Sequence, residues 1–247
     1  MNKSLILLFA YCIQTTVLAQ TADEFIVRAG EEPSDVIPRT RQFYFADFRE
    51  GQVFYPQGKR SDVLLLNYNT LLEVMQYIDQ NGDTLFIPEE SNIFKYVKIG
   101  DDIFYHHFRE GYFNLLSRDG DYNLATRMRW RIERRDLMVF NGYGMAEASP
   151  GSTLSTKRVG GNFVQNEDMA YLHESAYYVV GPRDVVFRAN RAGFLKSFPD
   201  YKDQIQAFLR EHPTNFEDEQ SLKELVRFSS SLIKAPEGQV SYKPKGN

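Results

Sequence analysis

The chain contains a single cysteine, Cys12, among 247 residues. A fold held together by disulfide bonds and a metal site built from several thiolates are therefore excluded. The sequence also has neither a sustained heptad nor a Gly-X-Y repeat, which excludes a coiled coil and a collagen-like fibre. It is 43% hydrophobic and 25% charged, with one tryptophan against 15 tyrosines and 19 phenylalanines. That composition is typical of a globular protein, and aromatic enrichment favours β-strands.

Residues 1–19 have the pattern of a secretory signal peptide. Lys3 supplies the positive start, residues 5–13 form a short apolar run, and Ala19 is a small residue suited to cleavage. The run is shorter than the roughly 20 residues that a membrane-spanning helix needs. An uncleaved anchor and a buried core helix are the alternatives. We expect an exported protein, periplasmic or secreted, with no transmembrane segment after signal cleavage.

Cleavage after residue 19 would remove Cys12 and one of the 29 basic residues but none of the 33 acidic ones, which leaves a formal charge of about −5. Dedicated nucleic-acid binders usually carry a strong basic excess. The charge balance therefore predicts no nucleic-acid partner.

After the signal, the pattern of apolar and turn residues divides the chain into an arm, a β domain and a helical end. Residues 20–40 lack an apolar period and are predicted to form a linker or loosely ordered arm. Residues 41–189 contain short apolar runs separated by turn residues, which is typical of an antiparallel meander. Asn81-Gly82 is its best hairpin signal, since a type I′ turn needs positive φ at both central positions. A Gly/Ser-rich loop is expected over residues 141–168.

Two of the predicted strands differ in pattern. Tyr122 to Ile132 alternates between an apolar side and a polar side, which predicts a half-exposed strand. Val63 to Leu66 is apolar on both sides, which predicts a central strand that is covered on one side by a second sheet or by helices.

The period changes from two to 3.6 after Asn190, which could cap a short helix. Tyr201, Ile205, Phe208 and Leu209 form one apolar stripe, and Asn215 could cap the next helix. Helices are therefore predicted within residues 190–235, and residues 236–247 are predicted to form a flexible tail. The fold class that follows is α+β: an antiparallel β-meander, arranged as a sandwich or a partly open barrel, followed by a C-terminal helical hairpin packed on it.

Arg127, Arg129 and Arg131 are the candidate binding residues. At alternate positions of a strand they lie in one row, about 7 Å apart. Such a row could bind an acidic partner, because guanidinium groups pair bidentately with oxyanions. The competing interpretation is a solvated face that is neutralised by Asp and Glu on neighbouring strands.

No catalytic residue and no metal ligand is predicted, and no cofactor is implied. His106 and His107 are adjacent, so on a strand they point to opposite faces and cannot chelate one ion. Asp119-Gly120-Asp121 resembles the start of a calcium loop but lacks its later Gly and Glu. Ser152 has no second glycine of a nucleophile elbow, and Gly-rich phosphate-binding motifs are absent. Tyrosines recur about once per strand and could line a ligand-binding mouth, although core packing is the alternative.

Three stretches together carry a resemblance. They are Gly51-Gln52-Val53 with Leu66-Asn67-Tyr68-Asn69, then Tyr77-Ile78-Asp79 with Gly82-Asp83-Thr84-Leu85, then Phe194-Leu195-Lys196-Ser197-Phe198-Pro199. The chain resembles a group of uncharacterised exported β-rich proteins of Bacteroidota over most of its length. The resemblance implies export and the order of strands before helices, and it implies no catalytic residue.

The leading hypothesis is an exported interaction or structural protein of the cell envelope, whose partner is an envelope protein or a glycan. The second is a ligand-binding β-barrel for a small apolar or glycan ligand. The third is a hydrolase whose site is assembled only by folding. An interaction protein should expose an apolar or charged patch, a ligand binder should have a deep apolar pocket, and an enzyme should have titratable groups with shifted pKa in a cleft.

Overall fold

The computed structural model describes residues 24–88, 95–118, 121–134, 167–182 and 185–234. The predicted signal peptide, the predicted C-terminal tail and nearly all of the predicted Gly/Ser-rich loop lie outside these residues, as does the centre of the calcium-like Asp119-Gly120-Asp121 motif.

Eleven strands form the body of the described structure. In chain order they are β1 (Glu24–Val27), β2 (Arg49–Phe54), β3 (Leu64–Asn69), β4 (Val74–Ile78), β5 (Thr84–Phe86), β6 (Tyr96–Ile99), β7 (Asp102–His107), β8 (Gly111–Leu115), β9 (Asn123–Arg134), β10 (Met169–Gly181) and β11 (Val185–Arg188).

Five α-helices accompany the strands, two before β2 and three after β11. They are α1 (Pro33–Val36), α2 (Arg39–Gln42), α3 (Arg191–Ser197), α4 (Lys202–Glu211) and α5 (Glu219–Lys234), with 3₁₀ turns at Pro56–Gly58 and Pro199–Tyr201.

All described strands belong to one antiparallel sheet in the order β1-β10-β9-β8-β7-β6-β2-β3-β4-β5, with β11 also paired to β10. The meander predicted from the sequence runs through β2–β5 and again through β6–β10. The strands that are consecutive in the chain are not neighbours at one point, because β6 pairs with β2 rather than with β5. The sheet is open, and helices follow it at the C-terminus. The predicted α+β class is confirmed, with one open sheet among the described residues rather than two packed sheets.

The predicted hairpin at Asn81-Gly82 joins β4 to β5, but its turn is not type I′. Gly82 has a φ of +88°, whereas Asn81 is not among the residues with positive φ. Instead the Asp79 carboxylate accepts hydrogen bonds from the backbone N–H groups of Asn81 at 2.9 Å and Asp83 at 2.8 Å. An Asx-type loop therefore replaces the tighter two-residue turn.

One face of the sheet, which we call the covered face, buries three apolar clusters. The pairing register gives it Leu66 on β3, Phe104 on β7 and Leu124 on β9, all within 1% of full burial. Tyr44, Phe45 and Ile87 pack on the β2–β8 part, and α3–α5 pack on the β9–β10 part. The opposite face, which we call the open face, holds a smaller cluster around Phe113, with Ala125 and Val180.

The described part of residues 20–40 is ordered, so the predicted loose arm is wrong there. β1 pairs with the first residues of β10, Val27 is 0% exposed, and Ile37 between the first two helices is 1% exposed. Both join a cluster around Trp130 on the covered face. A four-residue strand is too short to reveal its period, and its partner β10 lies about 145 residues further along the chain.

The C-terminal helices follow the predicted pattern, with one cap moved. The Oδ1 of Asn190 accepts from the N–H of Gly193 at 2.8 Å, so the predicted cap of α3 is confirmed. Asn215 was expected to cap the last helix, but α5 begins at Glu219 and its cap is Asp218, whose Oδ2 accepts from the N–H of Ser221 at 2.7 Å. Asn215 instead accepts from the N–H of Glu217 in the preceding turn.

Candidate functional site

The arginine row lies on β9, on the open face of the sheet. Arg127, Arg129 and Arg131 alternate along the strand as predicted, and their cross-strand neighbours on β10 are Ala176, Glu174 and Leu172. Glu174 therefore stands directly opposite the middle arginine, where a carboxylate can reach two members of the row.

Arg127 is the most buried member, with 8% of its side chain exposed. Its Nη1 lies 2.9 Å from Oε2 of Glu110, in the turn between β7 and β8, and its Nη2 lies 3.3 Å from Oε2 of Glu73, in the turn between β3 and β4. The guanidinium also sits 5.6 Å from the centre of the Phe113 ring. Arg127 therefore ties two hairpin turns to β9 instead of facing solvent.

The other members of the row are also paired. The Nε of Arg129 donates to Oε1 of Glu174 at 2.7 Å, and Arg131 pairs with Glu133 and, at 3.4 Å, with Oε2 of Glu174. Burial alone would lower the pKa of Arg129, but its hydrogen bond to Glu174 and the charge of that group outweigh burial and raise the pKa. The neutralised interpretation of the row accounts for all three side chains without an external partner.

The histidines do not converge. His106 and His107 point to opposite faces of β7, as the sequence predicts. His173 lies on the covered face with its ring 4.9 Å from that of Trp130, and desolvation by burial, followed by the charge of Arg41, lowers its pKa. His212 stacks on Phe208 at the end of α4. Within the described residues, His, Cys, Asp and Glu side chains form no group of three that could hold a metal ion.

The recurring tyrosines serve packing. Tyr68 and Tyr112 are 2% and 1% exposed at the centre of the covered face, with their rings 5.3 Å apart. Tyr44, Tyr55 and Tyr77 pack against the same cluster. These five side chains fill the core and do not line a ligand-binding mouth.

An apolar surface is exposed at the β3–β5 end of the sheet. Leu65 of β3 is 43% exposed on the open face, and Val63, which directly precedes β3, is 60% exposed. Leu65 faces Ile78 on β4, which faces Thr84 on β5, and Phe86, two residues further on, is 52% exposed. We call these residues, Val63, Leu65, Ile78 and Phe86, the β5 surface. β3 lies between β2 and β4, and the predicted cover on one side is present at Leu66, which is 0% exposed. Among the described residues, Phe45 and Ile87 from loops pack there instead of the second sheet or helices that the sequence predicts.

A shallow pocket of about 300 Å³ lies near the arginine row. Its lining consists of four consecutive residues of the β7–β8 turn and one residue of β11: His107, Phe108, Arg109, Glu110 and Val186. Nothing in the sequence pattern marked these residues together, because β11 lies more than 70 positions beyond the turn. The adjacent pair His106-His107 was the sole hint of unusual chemistry there.

Comparisons of the chain with protein-family models, with curated proteins and with solved structures find no match. No helix in the described ranges combines the length and the apolar character needed to cross a bilayer.

Proposed function

We propose that the protein is a non-enzymatic interaction or structural protein of the cell envelope, exported by its N-terminal signal. It binds an extended apolar segment of another envelope protein at the β5 surface. The export part of the proposal is supported by the signal pattern of residues 1–19 and by the resemblance to exported proteins of Bacteroidota.

The exposure of the β5 surface is the observation that carries the proposal. Single exposed apolar side chains are ordinary, but contiguous ones typically mark a binding surface. Leu65 and Ile78 are direct cross-strand neighbours, and Ile78 and Phe86 are diagonal neighbours, so their side chains lie within about 8 Å. Full burial of each such side chain would favour association by about 1.5–3 kcal/mol before the costs of association.

The position of the surface indicates the kind of partner. Among the described strands β5 ends the sheet and pairs only with β4. The outer side of such an edge strand offers backbone N–H and C=O groups for pairing. A segment that adds to such an edge gains main-chain hydrogen bonds, while alternate apolar side chains reach the face of the sheet. The β5 surface and the β5 edge together fit an extended strand with apolar residues at every second position.

In-cell photo-crosslinking tests the binding site. A photoreactive amino acid replaces Leu65 or Phe86, and the control position is Ile233 on α5, which is 41% exposed and so matches the 43% of Leu65. We expect the first two positions to crosslink to the same discrete envelope protein and Ile233 not to do so. Phe86→Asp should abolish the crosslink from position 65. An equal yield from Ile233, or a crosslink only to a second copy of this chain, would contradict the proposal.

Cell fractionation tests the export separately. The mature protein should be recovered outside the cytoplasm with its N-terminus at Gln20, and replacing Ala19 by a bulky residue should leave the precursor uncleaved. Recovery of the full-length chain in the cytoplasm would overturn the envelope assignment without bearing on the β5 surface.

A further inference from the structure

The β7–β8 turn leans across the open face. Val186 on β11 is four strands away from His107 on β7 in the sheet order, which is about 19 Å in a flat sheet, yet both residues line the same pocket. Glu110 of this turn also reaches Arg127 on β9 at 2.9 Å. The turn and β11 therefore form two walls of one concavity, with the paired arginine beside it.

His107 supplies a hydrogen-bond donor of defined position. Its Nδ1 accepts from the backbone N–H groups of Arg109 at 3.3 Å and Glu110 at 3.2 Å. In the neutral ring the proton is then on Nε2, which becomes the donor. The side chain is held by burial at 7% exposure, so the donor costs little conformational entropy when it binds.

Glu110 supplies the matching acceptor. Its Oε2 is occupied by Arg127, while about half of the side chain is exposed, so the carboxylate can accept further hydrogen bonds from a ligand. The contact with Arg127 fixes the carboxylate in place. A donor and a carboxylate acceptor in one small concavity suit neighbouring hydroxyl groups, which both donate and accept.

Phe108 supplies an apolar plane beside these polar groups. It is 52% exposed, its ring lies 5.0 Å from the His107 ring, and the guanidinium of Arg109 lies 4.9 Å from its centre. Aromatic rings commonly pack against ligands that have one apolar face and a polar edge. A pyranose has this character, because its C–H groups form faces and its hydroxyls form the rim.

Charge gives this pocket no net attraction for an acidic ligand. Its lining holds one cation, Arg109, and one carboxylate, Glu110, and Arg127 beside it is already matched by Glu110 and Glu73. An anionic group drawn to Arg109 would also meet the carboxylate of Glu110. From the cavity, the donor, the acceptor and the aromatic plane, we infer that the pocket of the β7–β8 turn binds one uncharged sugar unit of a glycan. This site is independent of the β5 surface.

Ligand-observed NMR with the whole mature protein tests the inference. The probes are the methyl glycosides of glucose, galactose, mannose and N-acetylglucosamine, the corresponding free sugars, and glucuronic acid. We expect saturation transfer to at least one uncharged methyl glycoside, with a Kd on the order of 1 mM, and none to glucuronic acid. Binding of the free sugar but not of its methyl glycoside would indicate a free monosaccharide as ligand and overturn the glycan assignment.

Variants locate the site. Phe108→Ala should abolish the saturation transfer, whereas Phe86→Ala, which removes a ring of the same 52% exposure on the β5 surface, should leave it unchanged. Glu110→Gln should weaken binding about tenfold, which is the loss expected for one charge-assisted hydrogen bond. Unchanged binding by Phe108→Ala, or no binding of any uncharged sugar, would overturn the inference. A loss caused by Phe86→Ala would also overturn it, because the ligand would then bind elsewhere.

Discussion

Charged side chains are usually exposed and apolar ones buried, but the two ends of the sheet show the reverse. At the β9–β10 end, Arg127 is 7% exposed, whereas at the β5 end Leu65 is 43% exposed. The arginine is buried because two hairpin turns bring Glu73 and Glu110 to it. The leucine is exposed near the start of β3, whereas Asn67, two residues further along the same face, is 1% exposed because its amide contacts the backbone of Phe45 and Asp47. Burial in this fold therefore depends on which segments return to a strand, and not on the strand's own pattern.

The contrast extends to the covered face. Three helices pack on it at the β9–β10 end, with Phe194, Ile205 and Leu225 all 0% exposed. At the β5 end, the described residues from outside the strands that join the cluster are Tyr44, Phe45, Tyr55 and Ile87. The first end resembles a closed core, and the second has one packed face and an opposite face on which Leu65 and Phe86 are exposed. A protein that needs a stable body and an available binding surface can be built in this way.

The largest difference between the two ends should appear when equal aromatic side chains are removed. Phe194→Ala should lower the free energy of unfolding by about 3–5 kcal/mol, because it leaves a cavity among fully buried neighbours. Phe86→Ala, which removes an identical group from the β5 surface, should change it by less than about 0.5 kcal/mol. Urea unfolding of the three proteins measures both values. Equal losses would mean that the β5 surface is part of the core.

The arginines of β9 allow a buried and an exposed side chain to be compared within one strand. Arg127→Gln should lower the free energy of unfolding by about 2–3 kcal/mol, because two carboxylates lose their buried partner. The loss is limited because both carboxylates reach solvent. Arg131→Gln, at a position with 45% of the side chain exposed, should cost less than about 0.5 kcal/mol. Thermal and urea unfolding give both numbers. A negligible effect of Arg127→Gln would favour an external acidic partner for the row.

The features that depend on local period could be predicted from the sequence. The alternation of β9, the apolar stripe of α4 and the Asn190 cap each involve residues within one element, where spacing alone decides geometry. The α+β order of strands and helices followed from the change in period after Asn190.

The features that depend on distant segments could not be predicted. Glu73 and Glu110 lie 54 and 17 residues before Arg127, and nothing in the spacing links them to it. The same holds for β1, whose pairing partner is β10, and for the pocket, which is lined on one side by Val186 of β11. Apolar residues on both sides of β3 indicated a central strand covered on one side. The pattern could not show that Leu65 is exposed on the other side while Asn67, on that same side, is buried against the backbone of Phe45 and Asp47.

The pKa of His173 should report on the packing of the covered face at the β9–β10 end. Its pKa is lowered by desolvation first and by Arg41 second, so the unfolded chain binds the proton more readily than the folded one. Stability should therefore decrease as the pH falls from about 6.5 through the lower folded pKa, and then level off. Arg41→Gln should raise the pKa of His173 in an NMR titration, while Arg39→Gln, two residues earlier on α2, should not. An unchanged pKa in Arg41→Gln would indicate that the helix does not pack as described.

The smallest effect concerns the start of α5, which closes that same end. Hydrogen bonds from the Ser221 backbone N–H, and then from its side chain, lower the pKa of Asp218. A carboxyl group with a lowered folded pKa stabilises the fold above its unfolded pKa of about 4 and loses that contribution as the pH falls through the folded value. Asn caps helices about as effectively as Asp. The stability of Asp218→Asn should therefore equal that of the parent below that pH range, and it should decline less steeply than that of the parent across the range. Glu217→Gln, in the preceding turn, is the control and should keep the parental slope. Thermal unfolding followed by circular dichroism between about pH 6 and about pH 2.5 measures the slopes; identical slopes for Asp218→Asn and the parent would show that the cap does not act through its charge.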